Sequence, residues 1–547
     1  LMFSGAVDGS HVDIKTLQVT AFDTISRLEA QLDLIDDYPI ELSGLIKVLN
    51  KDFEGQTLQL SMRGSIADLT LNSVLSGPIK AELSARVQPL SPDMPFNIDL
   101  TEGQAHWPLA GEPSYLIDID SLGLQGKLTH YETNLKGEIS GTDIPNASIM
   151  ASGNGNTKRF DLDQLSLKML GGEIRAPLSI DLDSELALNT QLSFSNIQPD
   201  LYWPEAKGEL NGKLALLAIL KPQEKWAVLA SDLKISGSVR EQSLDVAGAL
   251  QASGTANTDD LQISTPGITI AHGANNVEVR GRLDKLWHLD IGINIPDLGA
   301  SIANLGGQVS GSASMRGALK DPSVALDVKA EGLKWQDQFS LEKAALVGHF
   351  SSLMSLSGAL ELNLSRGKYQ EHRLEKLTIQ GSGQDGQHTL KLEALSDVLS
   401  TDLTLSGVVH PEQSLNWQGT LERVTLTMRG QQWSLDTPTQ LNYLAVEQEF
   451  HAAAHCWKQA EASLCFEKPL FIGSKGDIAF NLQRFELGQL QDFLPESSQL
   501  NGEVNASGQF SWSPSSSQSI HAVVPHNSGT FETKLKQMLK VSWRSRI

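Results

Sequence analysis

The segment from Ile79 to Val87 reads Ile-Lys-Ala-Glu-Leu-Ser-Ala-Arg-Val, so apolar and polar residues alternate along its whole length. Successive side chains of a β-strand point to opposite faces, and this strand therefore has one aliphatic and one polar face. The same alternation occurs in 58–63, 289–295 and 423–429, and turn-forming residues such as Ser76-Gly77-Pro78 separate such segments. The sequence predicts strand after strand, joined mostly by hairpins.

Helical periodicity is rare, with candidate helices at 487–493, ended by Pro495, and at 531–539. A sheet usually buries its apolar face under helices or under a second sheet, and the sequence offers no helix layer. Two arrangements remain open: successive β-sandwiches, or a sheet that twists and curls into a trough. We predict an all-β fold, an elongated and mostly antiparallel, twisted and curled sheet (a β-trough) with an aliphatic inner face and minor helices.

Length and charge exclude several classes of protein. A chain of 547 residues exceeds the ~250–300 residues at which a single core stops growing. Its net charge of −22 has the wrong sign for gripping a phosphate backbone, so we expect no nucleic-acid partner. The longest aliphatic run, 214–220, is too short to span a bilayer. The first residues lack the features of a signal peptide, so we expect a fragment of a longer protein.

The chain divides into two regions by composition. Residues 1–514 keep the alternating pattern and are predicted to form one elongated β-trough, in which glycine tripeptides hint at units of roughly 90 residues. Residues 515–547 begin with serines and become basic. We expect this tail to be poorly ordered or to form a short helix.

The two cysteines, Cys456 and Cys465, leave three chemical states open. They can form a local disulfide across a strand-turn-strand, remain free thiols, or bind zinc together with His451 and His455. The spacing matches no familiar zinc site, and strands on either side do not place both histidines on one helical face. The disulfide is the favoured interpretation.

No residue pattern indicates catalysis. The segment 153–159 lacks the spacing of a phosphate-binding loop, and the other histidines are dispersed without a serine, aspartate or HExxH partner. We therefore predict that the protein is not an enzyme and uses neither a cofactor nor a metal.

The aliphatic sides of the best alternating segments are the candidate lining of a lipid groove. Such a wall offers acyl chains a dry lining worth about 0.8 kcal/mol per CH₂, without directional polar groups to hold one ligand in place. The candidate lining residues are Leu58, Leu60, Met62, Ile79, Leu83, Val87, Leu289, Ile291, Ile293, Ile295, Val424, Leu426 and Met428.

Four segments, taken in order, resemble the bacterial TamB family of the AsmA-like superfamily. They are 201–212, 307–336, the paired-cysteine element 455–465, and 485–502. TamB proteins are the inner-membrane component of the translocation and assembly module. The resemblance covers most of residues 1–514, and the order of the segments is its strongest support.

This resemblance implies a periplasmic β-trough that bridges the inner and outer membranes and conducts phospholipid to the outer membrane. Its expected partners are phospholipid acyl chains, the inner membrane through an N-terminal helix, and a TamA-type outer-membrane barrel through a C-terminal domain. We expect that helix and that domain to lie outside residues 1–547. The alternative is a periplasmic scaffold that templates strands during assembly or secretion of outer-membrane proteins and autotransporters.

Overall fold

The structure is a computed structural model. It describes residues 1–21, 23–35, 37–50, 53, 55–109, 113–182, 186–221, 225–255, 260–410, 416–489, 502–513 and 516–523, with the backbone alone for 410, 513 and 516–523. The chain divides into a first unit, Leu1–Ile295 with Ala300–Ala303, and a second unit, Pro296–Gly299 with Asn304–Ile547. Short helical segments in the described ranges include a 3-10 turn at Pro199–Leu201, α1 at Leu298–Ser301 and a 3-10 segment at 487–489.

The first unit is a meander of antiparallel strands, as the alternating segments and short turns predict. Its strands are β1 (Met2–Asp8), β2 (His11–Ala21), β3 (Thr24–Asp33), β4 (Pro39–Val48), β5 (Thr57–Ser65), β6 (Asp68–Ser76), β7 (Ile79–Val87), β8 (Phe96–Trp107), β9 (Tyr115–Lys127), β10 (His130–Gly141), β11 (Ala147–Gly155), β12 (Arg159–Met169), β13 (Gly172–Arg175), β14 (Leu178–Asp181), β15 (Leu186–Ile197), β16 (Gly208–Lys221), β17 (Lys225–Val239), β18 (Gln242–Gly254), β19 (Gln262–His272), β20 (Asn275–Leu283) and β21 (Leu286–Ile295). β13 and β14 are halves of one strand, since both pair with β12 and β15. Pro177 lies in the break, where it can donate no ladder hydrogen bond.

The second unit begins with the same architecture. Its strands are β22 (Leu305–Ala318), β23 (Pro322–Trp335), β24 (Phe339–Ser352), β25 (Ser357–Tyr369), β26 (His372–Gln384), β27 (Gln387–Ser396), β28 (Leu399–His410), β29 (Asn416–Met428), β30 (Gln431–Leu435), β31 (Thr439–Leu444), β32 (Glu449–Ala452), β33 (His455–Gln459), β34 (Ala462–Phe466), β35 (Leu470–Ile472), β36 (Gly476–Glu486), β37 (Glu503–Ser513) and β38 (Ser516–Val523). The strands from β30 to β35 are three broken strands in a row, and the long strands β29 and β36 flank them. Prolines lie in two of the breaks, Pro438 and Pro469, and the third break falls at 453–454. The three breaks lie side by side across the sheet, and we call this place, formed by β30–β35, the crease.

The register keeps apolar residues on one face from strand to strand. Directly opposed residues of antiparallel strands share a face, so a chain of opposed pairs traces a row across the sheet. One such row crosses the first twelve strands and contains Phe3, Leu17, Leu28, Gly44, Leu60, Ser73, Leu83, Leu100, Leu122, Leu135, Ala151 and Leu165. A second crosses β22–β29 and contains Ala313, Leu326, Gly348, Leu360, Gly381, Leu390, Leu405 and Leu421. We call this side of each unit the aliphatic face, and the other side the polar face.

Burial decides between the sandwich and the trough. A sandwich core buries its large side chains almost completely. Among the described residues no large side chain falls below 2% exposure, and most of the buried hydrophobic residues are alanines. Along β7, for example, Leu83 and Val87 are half-buried while Lys80 and Glu82 are exposed. The predicted all-β antiparallel fold with minor helices is confirmed, and the sandwich alternative is not.

Two sequence predictions fall largely outside the described ranges. Of the helix expected at 487–493, only 487–489 are described, and the helix expected at 531–539 lies outside altogether. Of the tail expected from residue 515, residues 516–523 form β38, and 524–547 lie outside the described residues.

Candidate functional site

Ten of the thirteen candidate lining residues lie on the aliphatic face of the first unit. Leu58, Leu60 and Met62 come from β5, and Ile79, Leu83 and Val87 from β7. Leu289, Ile291, Ile293 and Ile295 come from β21. All ten are half-buried, and their neighbours along each strand, such as Gln59 and Asp290, are exposed.

These ten residues form an extended wall and not a pocket. The register carries the row of Ile293 through Val277, Ile270 and Val246 back toward the earlier strands. β7 and β21 are thirteen strand steps apart, which corresponds to about 60 Å at ~4.8 Å per step. No small molecule can contact both ends of such a wall at once. A ligand would therefore meet the same kind of aliphatic contact repeatedly along the wall.

The other three candidates lie on β29 in the second unit and differ in exposure. Val424 is 3% exposed, Leu426 is half-buried and Met428 is 44% exposed. Met428 ends its strand beside the turn at 429–430, whereas Val424 lies opposite Leu403 in the middle of the sheet. Alternation assigns the face correctly but does not reveal how far a residue is from the end of a strand.

Charged side chains line the polar face as cross-strand ion pairs. Arg63 Nη2 lies 2.6 Å from Glu41 Oε1, and Arg86 Nη2 lies 2.5 Å from Asp68 Oδ2. The hydrogen bond from Arg86 lowers the pKa of the Asp68 carboxyl below its usual value, and the same bond raises the pKa of Arg86. Both pairs are exposed, so they keep the polar face hydrated and contribute little to stability.

A few polar side chains lie on the aliphatic face, and the alternating pattern did not predict them. Ser73 and Thr190 are each 8% exposed and lie opposite leucines. Thr133 Oγ1 donates to the carbonyl of Gly123 at 3.1 Å, whereas Thr190 Oγ1 has no hydrogen-bond partner. These isolated hydroxyls do not form a site that could select a ligand.

The crease closes the aliphatic face locally. Leu441, Ala452 and Leu470 are opposed in register and are 7%, 5% and 8% exposed. The partly buried residues packed against this cluster are Leu405, Trp417, Leu421, Phe450, Phe466 and Ile478. At this place the protein's own side chains fill the space over the face.

The paired cysteines lie beside the crease. Cys456 and Cys465 are directly opposed on β33 and β34, form a disulfide, and have Cα atoms 4.0 Å apart. They occupy the polar face, because Trp457 and Leu464 share the aliphatic face with Leu482. The disulfide prediction is confirmed, and the zinc alternative loses both of its sulfur ligands.

The two histidines of the zinc alternative have other partners. His451 Nε2 lies 3.2 Å from Glu449 Oε2, and the ring packs edge-on against Phe471. His455 Nδ1 lies 2.7 Å from the carbonyl oxygen of Ala453. Across the described ranges no three His, Cys, Asp or Glu side chains meet in an arrangement that could hold a metal ion. None of the helices in those ranges is long and apolar enough to cross a membrane.

Comparison with known proteins gives the family. The sequence model described as "TamB, N-terminal domain" matches residues 1–546. The chain is also similar to the "Translocation and assembly module subunit TamB" of Haemophilus influenzae, with 25% identity over 519 residues. That alignment covers 93% of this chain and 39% of the relative, so the chain spans well under half of the relative's length. With nearly every residue of the chain matched, this protein belongs to the TamB N-terminal domain family.

Proposed function

We propose that the chain is part of a non-enzymatic component of a translocation and assembly module, and that its aliphatic face conducts phospholipid toward the outer membrane. The observation that carries the proposal is the mainly apolar row across the first twelve strands, whose eight leucines are all half-buried and not sealed in a core. Such a face stays stable in the protein and still leaves apolar surface for a ligand.

The energetics favour movement along the wall over storage at one point. Each CH₂ of an acyl chain transferred from water to the wall gains about 0.8 kcal/mol. Each row has one member on every strand, ~4.8 Å from the next, so an acyl chain that moves by one strand exchanges one aliphatic contact for another. The sparse hydroxyls, such as that of Thr190, offer an acyl chain no hydrogen bond that would hold the chain at one point.

The proposed lipid surface comprises the aliphatic face of the first unit and that of β22–β29 in the second. Across β31, β32 and β35 the cluster of Leu441, Ala452 and Leu470 already occupies the face. A lipid on the second unit therefore has to pass beside the crease or displace those side chains.

We place this function in the periplasm of a Gram-negative envelope, in a protein anchored in the inner membrane and partnered by a TamA-type outer-membrane barrel. The name of the relative, a translocation and assembly module subunit, supports the assignment to such a module. The disulfide supports an oxidising compartment, since such bonds are rare in the cytosol.

The alternative of strand templating requires unpaired strand edges. In the first unit each strand from β2 to β20 is hydrogen-bonded on both sides, so its long backbone edges are already used. Templating is thus restricted to the ends of a unit, whereas a lipid can contact the whole face. This contrast favours the lipid function.

Site-specific crosslinking in cells tests the proposal. A photo-activatable residue replaces Ile291 or Leu60 in the full-length protein, and neighbouring Asp290 on the polar face is the matched control. We expect phospholipid adducts from the two aliphatic positions, several-fold above the control. Equal lipid capture from Ile291 and Asp290 refutes the lipid function, and adducts with client polypeptides in place of lipid favour templating.

A further inference from the structure

The two rims of the first unit differ in chemistry where the aliphatic face ends. Hairpin turns alternate between the rims, because consecutive strands run in opposite directions. The rim at the ends of β3, β9, β14 and β16 is here called the leucine rim, after Leu34, Leu128, Leu182 and Leu220. The opposite rim is called the polar rim, after Gln56, Gln242, His272 and Asn275.

At the leucine rim the aliphatic face continues to the tips of the strands. Leu34, Leu128 and Leu182 follow the last aliphatic-face residue of their strands at an interval of two, so they extend that face beyond the strand. They are 49%, 40% and 49% exposed. Their N–H groups donate to the carbonyls of Ser10, Asp93 and Lys158 on the neighbouring turns, which fixes their positions.

Within the strands, Leu220 lies near the end of β16 in a row between Leu186 and Trp226. Leu186 and Leu220 are 45% and 47% exposed at this rim. The leucine rim therefore presents fixed, water-exposed aliphatic groups that the protein itself does not cover within the described residues.

At the polar rim the aliphatic face of several strands ends in hydrogen-bonding side chains. Gln56, 6% exposed, bonds through Oε1 to the N–H of Ile79 and through Nε2 to its carbonyl, both at 2.9 Å. His272 donates from Nε2 to the carbonyl of Val239 at 2.9 Å, and its Nδ1 accepts from Ser301 Oγ at 2.8 Å. Asn275, opposite His272, donates to the same hydroxyl at 2.7 Å.

The exposed apolar groups at the polar rim include two large amphipathic rings. Trp107 and Trp203 are 61% and 60% exposed, and Trp203 packs edge-on against Tyr202. Leu49 and Leu201 are also exposed there, but Leu49 directly follows Val48 of the aliphatic face and Leu201 lies in the 3-10 turn, so neither extends that face at an interval of two. Tryptophan prefers the boundary between polar headgroups and hydrocarbon, because its ring is apolar and its N–H is a donor.

We infer that the first unit holds a diacyl phospholipid in one orientation, with the acyl chains directed to the leucine rim and the headgroup over the polar rim. The inference rests on the proposed lipid function and adds a direction to it. The dimensions fit: β9, with thirteen residues at ~3.3 Å each, is about 40 Å long, and the chains of one leaflet extend ~15 Å. The reverse orientation brings Leu34, Leu128 and Leu182, which extend the aliphatic face, into contact with a hydrated headgroup.

Distance-dependent quenching tests this orientation in the full-length protein. A fluorescent unnatural amino acid is placed at Leu128 or Leu220 on the leucine rim, at Thr142 or Glu241 on the polar rim, or at Glu132 on the polar face. The ligand is dioleoyl phosphatidylethanolamine with a nitroxide either near the end of an acyl chain or on the headgroup amine. Because the rims are ~30–40 Å apart, a bound nitroxide quenches only the nearer rim.

We expect the acyl nitroxide to quench the leucine-rim positions at least about threefold more than the polar-rim positions, and the headgroup nitroxide to reverse that ratio. Equal quenching of both rims by both lipids, above that at Glu132, overturns the orientation and leaves the lipid function standing. Quenching no greater at either rim than at Glu132 overturns both.

Discussion

Leucine-to-alanine substitutions at two positions distinguish an open wall from a closed core. Leu441 is 7% exposed within the cluster at the crease, whereas Leu60 is half-buried on the aliphatic face of the first unit. Leucine exceeds alanine by three carbon groups, so removing them from a sealed site forfeits about 2.4 kcal/mol of transfer free energy at ~0.8 kcal/mol per group. A residual cavity adds to this, and we expect Leu441→Ala to destabilise its region by about 3 kcal/mol.

The same substitution at Leu60 has a smaller effect. The side chain already contacts water, so part of the transfer free energy is absent, and an open site leaves no enclosed cavity. We expect Leu60→Ala to destabilise the surrounding strands by about 1 kcal/mol. A chain with two units need not unfold in one step, so a global melting temperature is a poor measure of either effect.

Hydrogen exchange read peptide by peptide gives the local free energies of opening. Peptides from β31–β36 report on Leu441→Ala, and peptides from β4–β6 report on Leu60→Ala, each set acting as the control for the other variant. If both substitutions lower local stability by about 3 kcal/mol, the aliphatic face is a closed core and the lipid proposal loses its basis.

Three further predictions concern the disulfide, a glycine and a carboxylate. Replacing Cys456 and Cys465 by serine, which opens a loop of sequence separation 9, should lower the stability of β33–β34 by about 2.5 kcal/mol in hydrogen exchange, with β4–β6 unchanged; an unchanged β33–β34 contradicts it. Gly137→Val should destabilise β9–β11 by about 1–3 kcal/mol because the backbone carbonyl oxygen of Asp118 occupies the place of a Cβ, whereas Gly292→Val, with no atom within 4 Å of that place, should have little effect; similar losses at both sites contradict this prediction. Asp321 has a lowered pKa because it is hydrogen-bonded to Ser352 and to the N–H groups of Met354 and Leu353, so its stabilisation of that turn should persist at neutral pH and disappear as the pH falls through a value below 3.8. Methyl NMR of Met354 against pH measures the transition, and Asp321→Asn should abolish it.

The face on which a residue lies could be predicted from sequence because alternation is a local property. Each of the thirteen candidate residues lies on the side that its alternation indicates, Met428 included. Alternation contains no information about which parts of a face are covered. The cluster at Leu441 arises because three strands break side by side, and only the pairing of β30–β35 brings Pro438 and Pro469 into line. Neither proline is unusual in the sequence by itself.

The difference between the rims also could not be predicted from single segments. Leu128 and Gln242 each lie near a strand end in a similar pattern of alternation. Successive strands run in opposite directions, so the number of strands between two residues decides whether they lie on the same rim. Leu128 and Gln242 lie on opposite rims only when β13 and β14 are counted as one strand. That count follows from their shared pairing with β12 and β15, and it is visible only in the sheet.

Changes in the phase of alternation explain how the aliphatic face remains continuous over so many strands. On β17 the residues of the aliphatic face are even-numbered up to Ala230 and odd-numbered from Leu233, a change of phase that would move half of a regular strand to the wrong face. A bulge absorbs the extra residue at this point, and Asp232 adopts a φ of 52°.

The same kind of bulge occurs at two other positions, and each of these bulges has the same type of hydrogen bond. Asn196 and Arg484 have φ values of 56° and 53°, and their N–H groups donate to the Oδ1 atoms of Asn211 and Asn505 on the next strand. Each lies at a one-residue shift in register, beyond which apolar residues return to the aliphatic face. A bulge also bends its strand and increases its twist. Asp232, Asn196 and Arg484 interrupt the alternating pattern in sequence. At these bulges they keep the apolar residues on the aliphatic face and help to curl the sheet.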